Sequence, residues 1–330
     1  MDHALHWSSI LLDDVTAWAQ LSNHLAVVDG TEEFFGAEDR AEELESSRTD
    51  PEKDTLAVWD GDRMIAFGKV WVPSTLDHQG GRVDVGLDGG VHADYRGRGV
   101  GAELMGRLEA RGAELAGSRH SGVRYYFSTG GGLEGSSARA FHLGRGYEVA
   151  RYFSFMGRAL TAEDSAESIM AGRPLPEGVA IRAPKAADER AVFDAHAAAF
   201  VDHWGSAPPT LEVWHERWRA RSNRHAVSRI AVDEAGGIAA KGSVLAYSLC
   251  AQWVDRELYV NLVGTVPSAR GRGLGSAVLA HSIEAAARGG DHDVIELDVD
   301  SESPTGATRL YERLGFTLKH TQAVMRRYPG

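Results

Sequence analysis

One hexapeptide, Arg-Gly-Arg-Gly-Val/Leu-Gly, occurs twice in this chain, at residues 96–101 and 270–275. Each copy joins a β-like run to a helical one: 82–92 and 100–115 flank the first, 257–266 and 274–288 the second. Glycine adopts backbone conformations that a Cβ forbids and lets a ligand approach the main chain closely. The first N–H groups of a helix lack intrahelical partners, and the helix dipole makes that end positive. A strand, a basic glycine turn and a helix therefore form a cradle for an anion.

The repetition extends beyond the hexapeptide. Arg96 and Arg270 are 174 residues apart, while Gly146-Tyr147 and Gly315-Phe316 are 169 apart. The five-residue difference fits one glycine-rich insertion at 130–135, so the 330 residues divide into two diverged halves. That length also suits two domains of ordinary size. The first half predicts strands at 5–12, 55–60, 64–72, 82–92, 123–128 and 148–156, with a hairpin turn at Asp60-Gly61-Asp62 and helices at 15–28, 37–46, 100–115 and 137–143. The second half repeats the order, with strands at 179–182, 228–233, 243–252, 257–266, 294–300 and 317–326 and helices at 187–200, 211–219, 274–288 and 305–314. The expected domains are 1–160 and 179–330, joined by a linker at 161–178 rich in Ala, Ser and Glu and containing Pro174 and Pro176.

Lys and Arg number 35 against 47 Asp and Glu, a net charge of −12 that argues against nucleic acid or an anionic membrane as partner. The two basic turns remain as local exceptions. A single cysteine, Cys250, rules out an internal disulfide and argues against a cysteine-based zinc site, so no metal is expected. No apolar run approaches the ~20 residues of a membrane span, and the first residues lack the pattern of a signal peptide. A cytoplasmic location is expected.

Several site types contain a glycine turn. A P-loop needs Lys-Ser/Thr after its last glycine, but Ala102 and Ser276 stand there. A dinucleotide fingerprint belongs to the first strand–helix turn of a parallel sheet, whereas each turn here follows three consecutive strands. A tight turn carrying a solvated arginine explains one copy better than two in matching contexts. The pattern R-x-x-G-x-G after the fourth strand, Thr265-Val266-Pro267 before it and Ala-x-x-Leu-Tyr-Glu-Arg-Leu-Gly-Phe at 307–316 together resemble the GNAT acetyltransferase superfamily.

The resemblance implies an α/β fold of α+β type: two tandem GNAT-like domains, each a mixed, mostly antiparallel central sheet flanked by helices. It implies acetyl-CoA as cosubstrate. The pyrophosphate would meet the N–H groups of Gly271, Arg272, Gly273, Leu274, Gly275 and Ser276, helped by Arg270 and Arg272. The pantetheine arm would pair with the strand edge from Val263 to Thr265, where the fourth strand splays from the fifth, and an N–H near Thr265 or Val266 would polarise the thioester. The first half offers the same cradle in Val91, Arg96, Gly97, Arg98, Gly99, Val100 and Gly101.

For the chemistry, resemblance puts the acid that protonates the leaving thiolate at Tyr311. Some relatives carry a glutamate base on the fourth strand; Tyr259 holds that place here, and Glu257 shares its face two residues earlier. Asp298, Asp300, Asp202, His203 and water are further candidates for the base. The family's asparagine before the last helix is replaced by Ser303-Pro304. In the first half His142 stands where Tyr311 does, which implies a domain that holds acyl-CoA with weak or no catalysis, or a purely structural copy. The tandem layout is similar to that of the mycothiol synthases, whose acceptor region residues 199–218 loosely resemble. There Trp204, Trp214 and Trp218 either line a pocket or belong to the core. The expected activity is direct acetyl transfer, in a ternary complex, to the amine of a small-molecule or peptide acceptor, through the second half and without Cys250 as nucleophile. The alternatives are a non-catalytic acyl-CoA sensor and a mycothiol-synthase-like acetylation of a thiol precursor. Both monomer and homodimer remain open.

Overall fold

The computed structural model describes residues 4–77, 81–303 and 306–329. The first half runs β1 (His6–Ser8), a 3-10 turn at Leu12–Asp14, α1 (Val15–Asp29), α2 (Ala37–Leu44), α3 (Pro51–Asp54), β2 (Thr55–Asp60), β3 (Arg63–Trp71), β4 (Val83–Val91), a 3-10 turn at Ala93–Tyr95, α4 (Val100–Arg119), β5 (Tyr125–Gly130), α5 (Ser137–Gly144) and β6 (Glu148–Ala159). The second half runs α6 (Ala166–Ile169), β7 (Val179–Arg182), a 3-10 turn at Ala186–Asp188, α7 (Glu189–Ala199), α8 (Leu211–Arg219), β8 (Arg229–Asp233), β9 (Val244–Ala251), β10 (Glu257–Thr265), a 3-10 turn at Pro267–Ala269, α9 (Leu274–Gly289), β11 (Val294–Asp300), α10 (Ala307–Arg313) and β12 (Thr317–Arg327). Among the described residues, no helix is long and apolar enough to cross a membrane.

The chain forms two compact units, one of Met1–Tyr152 with Thr321–Gly330, the other of Phe153–His320. In the first unit β1, β2, β3 and β4 pair antiparallel in sequence, β4 pairs parallel with β5, and the end of β12 (Val324 to Arg327) adds antiparallel to β5. The second unit has the same plan: β7, β8, β9 and β10 antiparallel, β10 parallel to β11, and the end of β6 (Phe153 to Ala159) antiparallel to β11. Each sheet is thus mixed, mostly antiparallel, and completed by the last strand of the other half of the sequence. The segment 161–178, read above as a linker, carries α6 and lies in the second unit.

Helices cover both faces of each sheet. In the first unit α4 packs Leu104 and Leu108 on Val70 and Val85, and α1 packs Trp18 and Leu25 on Phe67. In the second unit α9 and α10 bring Leu279, Ile283 and Tyr311 against Leu258 and Val260. On its other face α7 and α8 bring Val192, Trp214 and Trp218 against Tyr247 and Leu249. Burying each large apolar side chain stabilises by roughly 1.5–3 kcal/mol. Trp214 and Trp218, four apart on one helix face, spend their area on this core and do not line a pocket.

Candidate active site

The glycine turn of the second unit is shaped by its backbone. Gly271 and Gly273 have φ of +75° and +78°, a region that costs an L-residue about 1–2 kcal/mol. Gly273 caps α9, and the first intrahelical bond runs from the Ala277 N–H to the Gly273 carbonyl. The N–H groups of Leu274, Gly275 and Ser276 therefore precede the helical ladder and remain available to an anion. A Cβ on Gly275 would lie 3.0 Å from Thr265 Oγ1. Arg270 braces the turn: its Nε donates to the Thr265 carbonyl at 3.4 Å, and its other nitrogens to the Ala199 carbonyl and Asp202, both at 3.0 Å. Arg272 is exposed.

The strand before the turn is half open. β10 pairs with β11 only from Glu257↔Val294 to Tyr259↔Glu296. A bulge at Asn261 follows, and β10 continues to Thr265 along β9 alone. The Val266 N–H donates to the Leu245 carbonyl at 2.9 Å. Antiparallel pairing alternates, so Thr265 and Val263 direct their N–H and C=O away from β9, into the opening beside β11. This corrects one expectation: the Val266 N–H is occupied within the sheet, and the Thr265 side of the strand end is the one that faces the opening. Beneath it, Gly264 allows Tyr247 to approach, since a Cβ there would lie 2.3 Å from the tyrosine oxygen. Tyr247 in turn bonds His196 Nδ1 at 2.8 Å, and burial lowers the His196 pKa to about 4.

Tyr259 and Asp298 border this opening, and Tyr311 stands on α10, the helix that follows β11. Tyr311 is buried in the α9/α10 core, and among the described residues its hydroxyl has no hydrogen-bond partner. Burial first, then the nearby Asp298 charge, raises its pKa, so the hydroxyl keeps its proton at neutral pH and can donate it. Tyr259 donates to Asp298 Oδ1 at 2.5 Å. Asp298 sits two residues beyond Tyr259's partner Glu296, a diagonal that a tyrosine can span. Its side chain contacts solvent, yet protein atoms crowd the carboxyl, and that desolvation raises its pKa against the opposing hydrogen bond from Tyr259.

The other candidates stand apart or are engaged. Glu257 lies within the paired segment, on the far side of Tyr259 from the opening. Asp300 is buried and accepts the Glu302 N–H at 2.9 Å. Asp202 holds Arg270. His203 Nδ1 donates to the Trp204 carbonyl at 3.1 Å. Ser303 donates its N–H to Asp300 O at 3.0 Å, while Pro304 lies outside the described residues.

A glycine cradle followed by a splayed parallel pair occurs in both halves, and a family comparison reads them alike. The acetyltransferase (GNAT) family profile matches residues 16–126 and 190–316. The chain belongs to the GNAT acetyltransferase family. It is an acyltransferase with two GNAT domains in tandem, and GNAT acetyltransferases use acetyl-CoA. A mycothiol acetyltransferase of Thermobispora bispora is 33% identical over 278 residues, covering 82% of this chain and 83% of that protein. One of Salinispora arenicola is 30% identical over 250 residues, with coverages of 73% and 72%. Among solved structures, a GCN5-related N-acetyltransferase from Sphaerobacter thermophilus aligns with a TM-score of 0.75 at 23% identity over 99% of this chain and 96% of its own. A tandem GNAT protein from the clavulanic acid biosynthesis pathway aligns with a TM-score of 0.68 at 16% identity over 99% of both chains. Both agree with the tandem fold.

The two GNAT units differ where their sheets open. In the first, Arg96 repeats the brace, donating to the Val91 carbonyl at 3.0 Å and to both oxygens of Asp29 at 2.8 and 2.7 Å. Gly97 and Gly99 have φ of +75° and +88°, and the Glu103 N–H makes the first helical bond, to Gly99. Arg98 lies over the Tyr95 ring. Counting back from the two braced carbonyls, with the Asn261 bulge allowed for, Gly86 occupies the place of Tyr259. Gly86 pairs with Ser128 as Tyr259 pairs with Glu296, so Gly130 occupies the place of Asp298. His142 stands for Tyr311; burial lowers its pKa to about 4, and its Nδ1 is buried without a partner. The Trp71 ring lies across Gly86, where a Cβ would come within 2.1 Å of it. Beside it Lys69, paired with Glu43 and lying 5.0 Å from the Trp71 centroid, has its pKa lowered to about 8 by burial. Nothing in the sequence pattern announces that Trp71 and Lys69 fill this face. The clue is the Gly86 and Trp71 pair, which becomes informative once the strand register is known.

Proposed function

We propose that the second unit acetylates the amine of a small-molecule acceptor with acetyl-CoA, by direct attack and without a covalent acyl-enzyme. The observation that carries this is the opening of β10 from β11 after Tyr259↔Glu296, with the strand edge of Val263 and Thr265 facing it and the turn's N–H groups at its end. The cosubstrate supplies an acyl thioester on an amide-rich arm with a pyrophosphate. The residues present suit it. The edge of Val263 and Thr265 offers paired donors and acceptors to amides, as a β-strand does to a peptide. The N–H groups from Gly271 to Ser276 suit the pyrophosphate, with Arg270 holding the turn in shape and Arg272 adding charge. The Thr265 N–H faces the place where an oxyanion would develop. Tyr311 donates a proton to the departing sulfur. The first unit keeps a cradle for acyl-CoA but carries Gly86, Gly130 and His142 at the reactive positions, so it binds without turnover.

The acceptor is a small amine. A mycothiol-type precursor is the second reading, favoured by relatives named mycothiol acetyltransferase that cover 82% and 73% of this chain. Incubating the protein with acetyl-CoA and a panel of amines, a cysteinyl amine among them, and detecting acetylated product by mass spectrometry tests both. Mass detection is needed because a thiol-bearing acceptor would mask the release of CoA thiol. Acetylation of at least one amine is expected. Tight binding of acetyl-CoA with no acetylated product would favour a sensor instead.

A further inference from the structure

The proposed transfer leaves one proton unassigned. An amine is protonated near neutral pH and cannot attack until it loses a proton, and Tyr311 serves the sulfur, not the nitrogen. We infer that Asp298, held by the Tyr259 hydroxyl, seats the acceptor's ammonium group and removes that proton, so the acceptor is a cationic amine. This rests on the second unit being the transferase.

The geometry selects Asp298 from the acids nearby. β11 is paired at Asp298 with Phe155 of β6 on one side, while pairing with β10 has already ended on the other. The carboxyl therefore borders the opening. Tyr259 donates to Oδ1 at 2.5 Å and leaves Oδ2 for another partner. Trp253 packs against Tyr259 with centroids 5.6 Å apart, so the tyrosine stands between an aromatic wall and the acid. An exposed carboxylate at the sheet opening, held by a tyrosine hydroxyl, suits an ammonium ion through its charge.

The other charged groups do not compete. On β10, Glu257 sits within the paired segment. On β11, Glu296 is held by Lys319 of β12 at 2.7 Å, and Asp300 binds its own turn. From β12, His320 is stacked on Phe155, 4.7 Å between centroids. Residues 153–157 of β6 carry no titratable side chain. Among the described residues, His203, from the loop after α7, lies near enough for its charge to favour the carboxylate.

Asp298 takes one proton from the ammonium, freeing the nitrogen lone pair. The N–C bond forms at the thioester carbon, and the C–S bond breaks with its electrons going to sulfur. Tyr311 gives its proton to that sulfur and is reprotonated by the second proton leaving the nitrogen. Asp298 then releases its proton to water. The products are the amide, CoA thiol and one proton. In the first unit Gly86 and Gly130 remove both partners of this pair, as His142 removes the acid.

The test uses the full-length protein with acetyl-CoA and four probes: glucosamine, spermidine, a cysteinyl amide and a dipeptide amide. For each probe acetylated, kcat is measured against pH at saturating acceptor. The expected wild-type profile has an acid limb that stays in place when probes of different amine pKa are exchanged. Asp298→Asn keeps the hydrogen-bond acceptor for Tyr259. It should lower kcat about 10²–10³-fold, abolish that limb and leave the acetyl-CoA Kd within about threefold. Tyr259→Phe removes a bond that favours the ionised carboxylate, so the limb should move to higher pH while turnover persists. Asp298→Glu should restore part of the rate. An unmoved limb in both variants, or a kcat for Asp298→Asn within about threefold of wild type, would overturn the assignment while leaving the transferase standing. Binding of acetyl-CoA with no acetylation of any probe would overturn both.

Discussion

Replacing Tyr311 with phenylalanine removes one oxygen atom from a position where stability and activity should respond in opposite senses. The hydroxyl has no hydrogen-bond partner among the described residues, so the substitution breaks no bond to any of them. The ring keeps its contacts with Leu258, Val260 and Leu279, and with Phe316 at 6.0 Å between centroids. An unpaired hydroxyl in an apolar site costs about 1–3 kcal/mol, of which solvent at the cleft recovers part. The variant should therefore be as stable as the parent or up to about 1 kcal/mol more stable, a Tm rise of up to ~2–4 °C for a unit of 150–250 residues. The rate should move the other way. Loss of a positioned acid costs about 10²–10⁴-fold, or ~2.7–5.4 kcal/mol in the barrier. Steady-state acetylation followed by mass spectrometry, acetyl-CoA binding by calorimetry and a thermal melt together measure all three quantities. Unchanged kcat would remove Tyr311 from the chemistry. A fall in stability of more than about 1 kcal/mol would mean that the hydroxyl holds the fold, and its effect on rate would lose its meaning.

Two further outcomes follow from the packing. Gly264→Ala places a methyl 2.3 Å from the Tyr247 oxygen and should cost about 1–3 kcal/mol in a urea melt; adding Tyr247→Phe should recover part of it, and additive losses would refute the contact. His142 and His196 are held neutral by burial with pKa values lowered to about 4, whereas the unfolded chain protonates them near 6.5. Their contribution is intact above about pH 6.5 and is lost as pH falls toward 4, by of order 3 kcal/mol per histidine. Urea midpoints at pH 7 and pH 5 should show it, and His142→Phe should flatten the slope; an unchanged slope would contradict the burial of a neutral imidazole.

The local features of this chain were legible because their causes are local. Gly271 and Gly273 take positive φ, and the hexapeptide announces it. The hairpin at Gly61 and the helix at Leu211–Arg219 follow from turn chemistry and periodicity. The features that depend on register were not legible. The register of β10 on β11 fixes which β10 side chain lies opposite Glu296, and only then do Tyr259 and Asp298 become a pair. The strand exchange was hidden for the same reason: β6 and β12 each look like the end of their own half, and nothing in their composition names the strand they pair with. Arg270 reads from sequence as a phosphate contact, yet its hydrogen bonds go to Thr265, Ala199 and Asp202, which lie up to 71 positions away.

The proposed transfer depends on the second glycine turn. Gly273→Val tests it most directly, because Gly273 has φ of +78° and a Cβ there meets nothing within 4 Å. The penalty is purely one of backbone conformation, about 1–2 kcal/mol or somewhat more for a β-branched residue, and it re-aims the first N–H groups of α9 without a clash. Acetylated product formed per second is measured at saturating amine and several acetyl-CoA concentrations, on protein whose thermal melt confirms that it is folded. A loss of kcat/KM for acetyl-CoA of at least about tenfold is expected; an unchanged value would place the chemistry away from this turn.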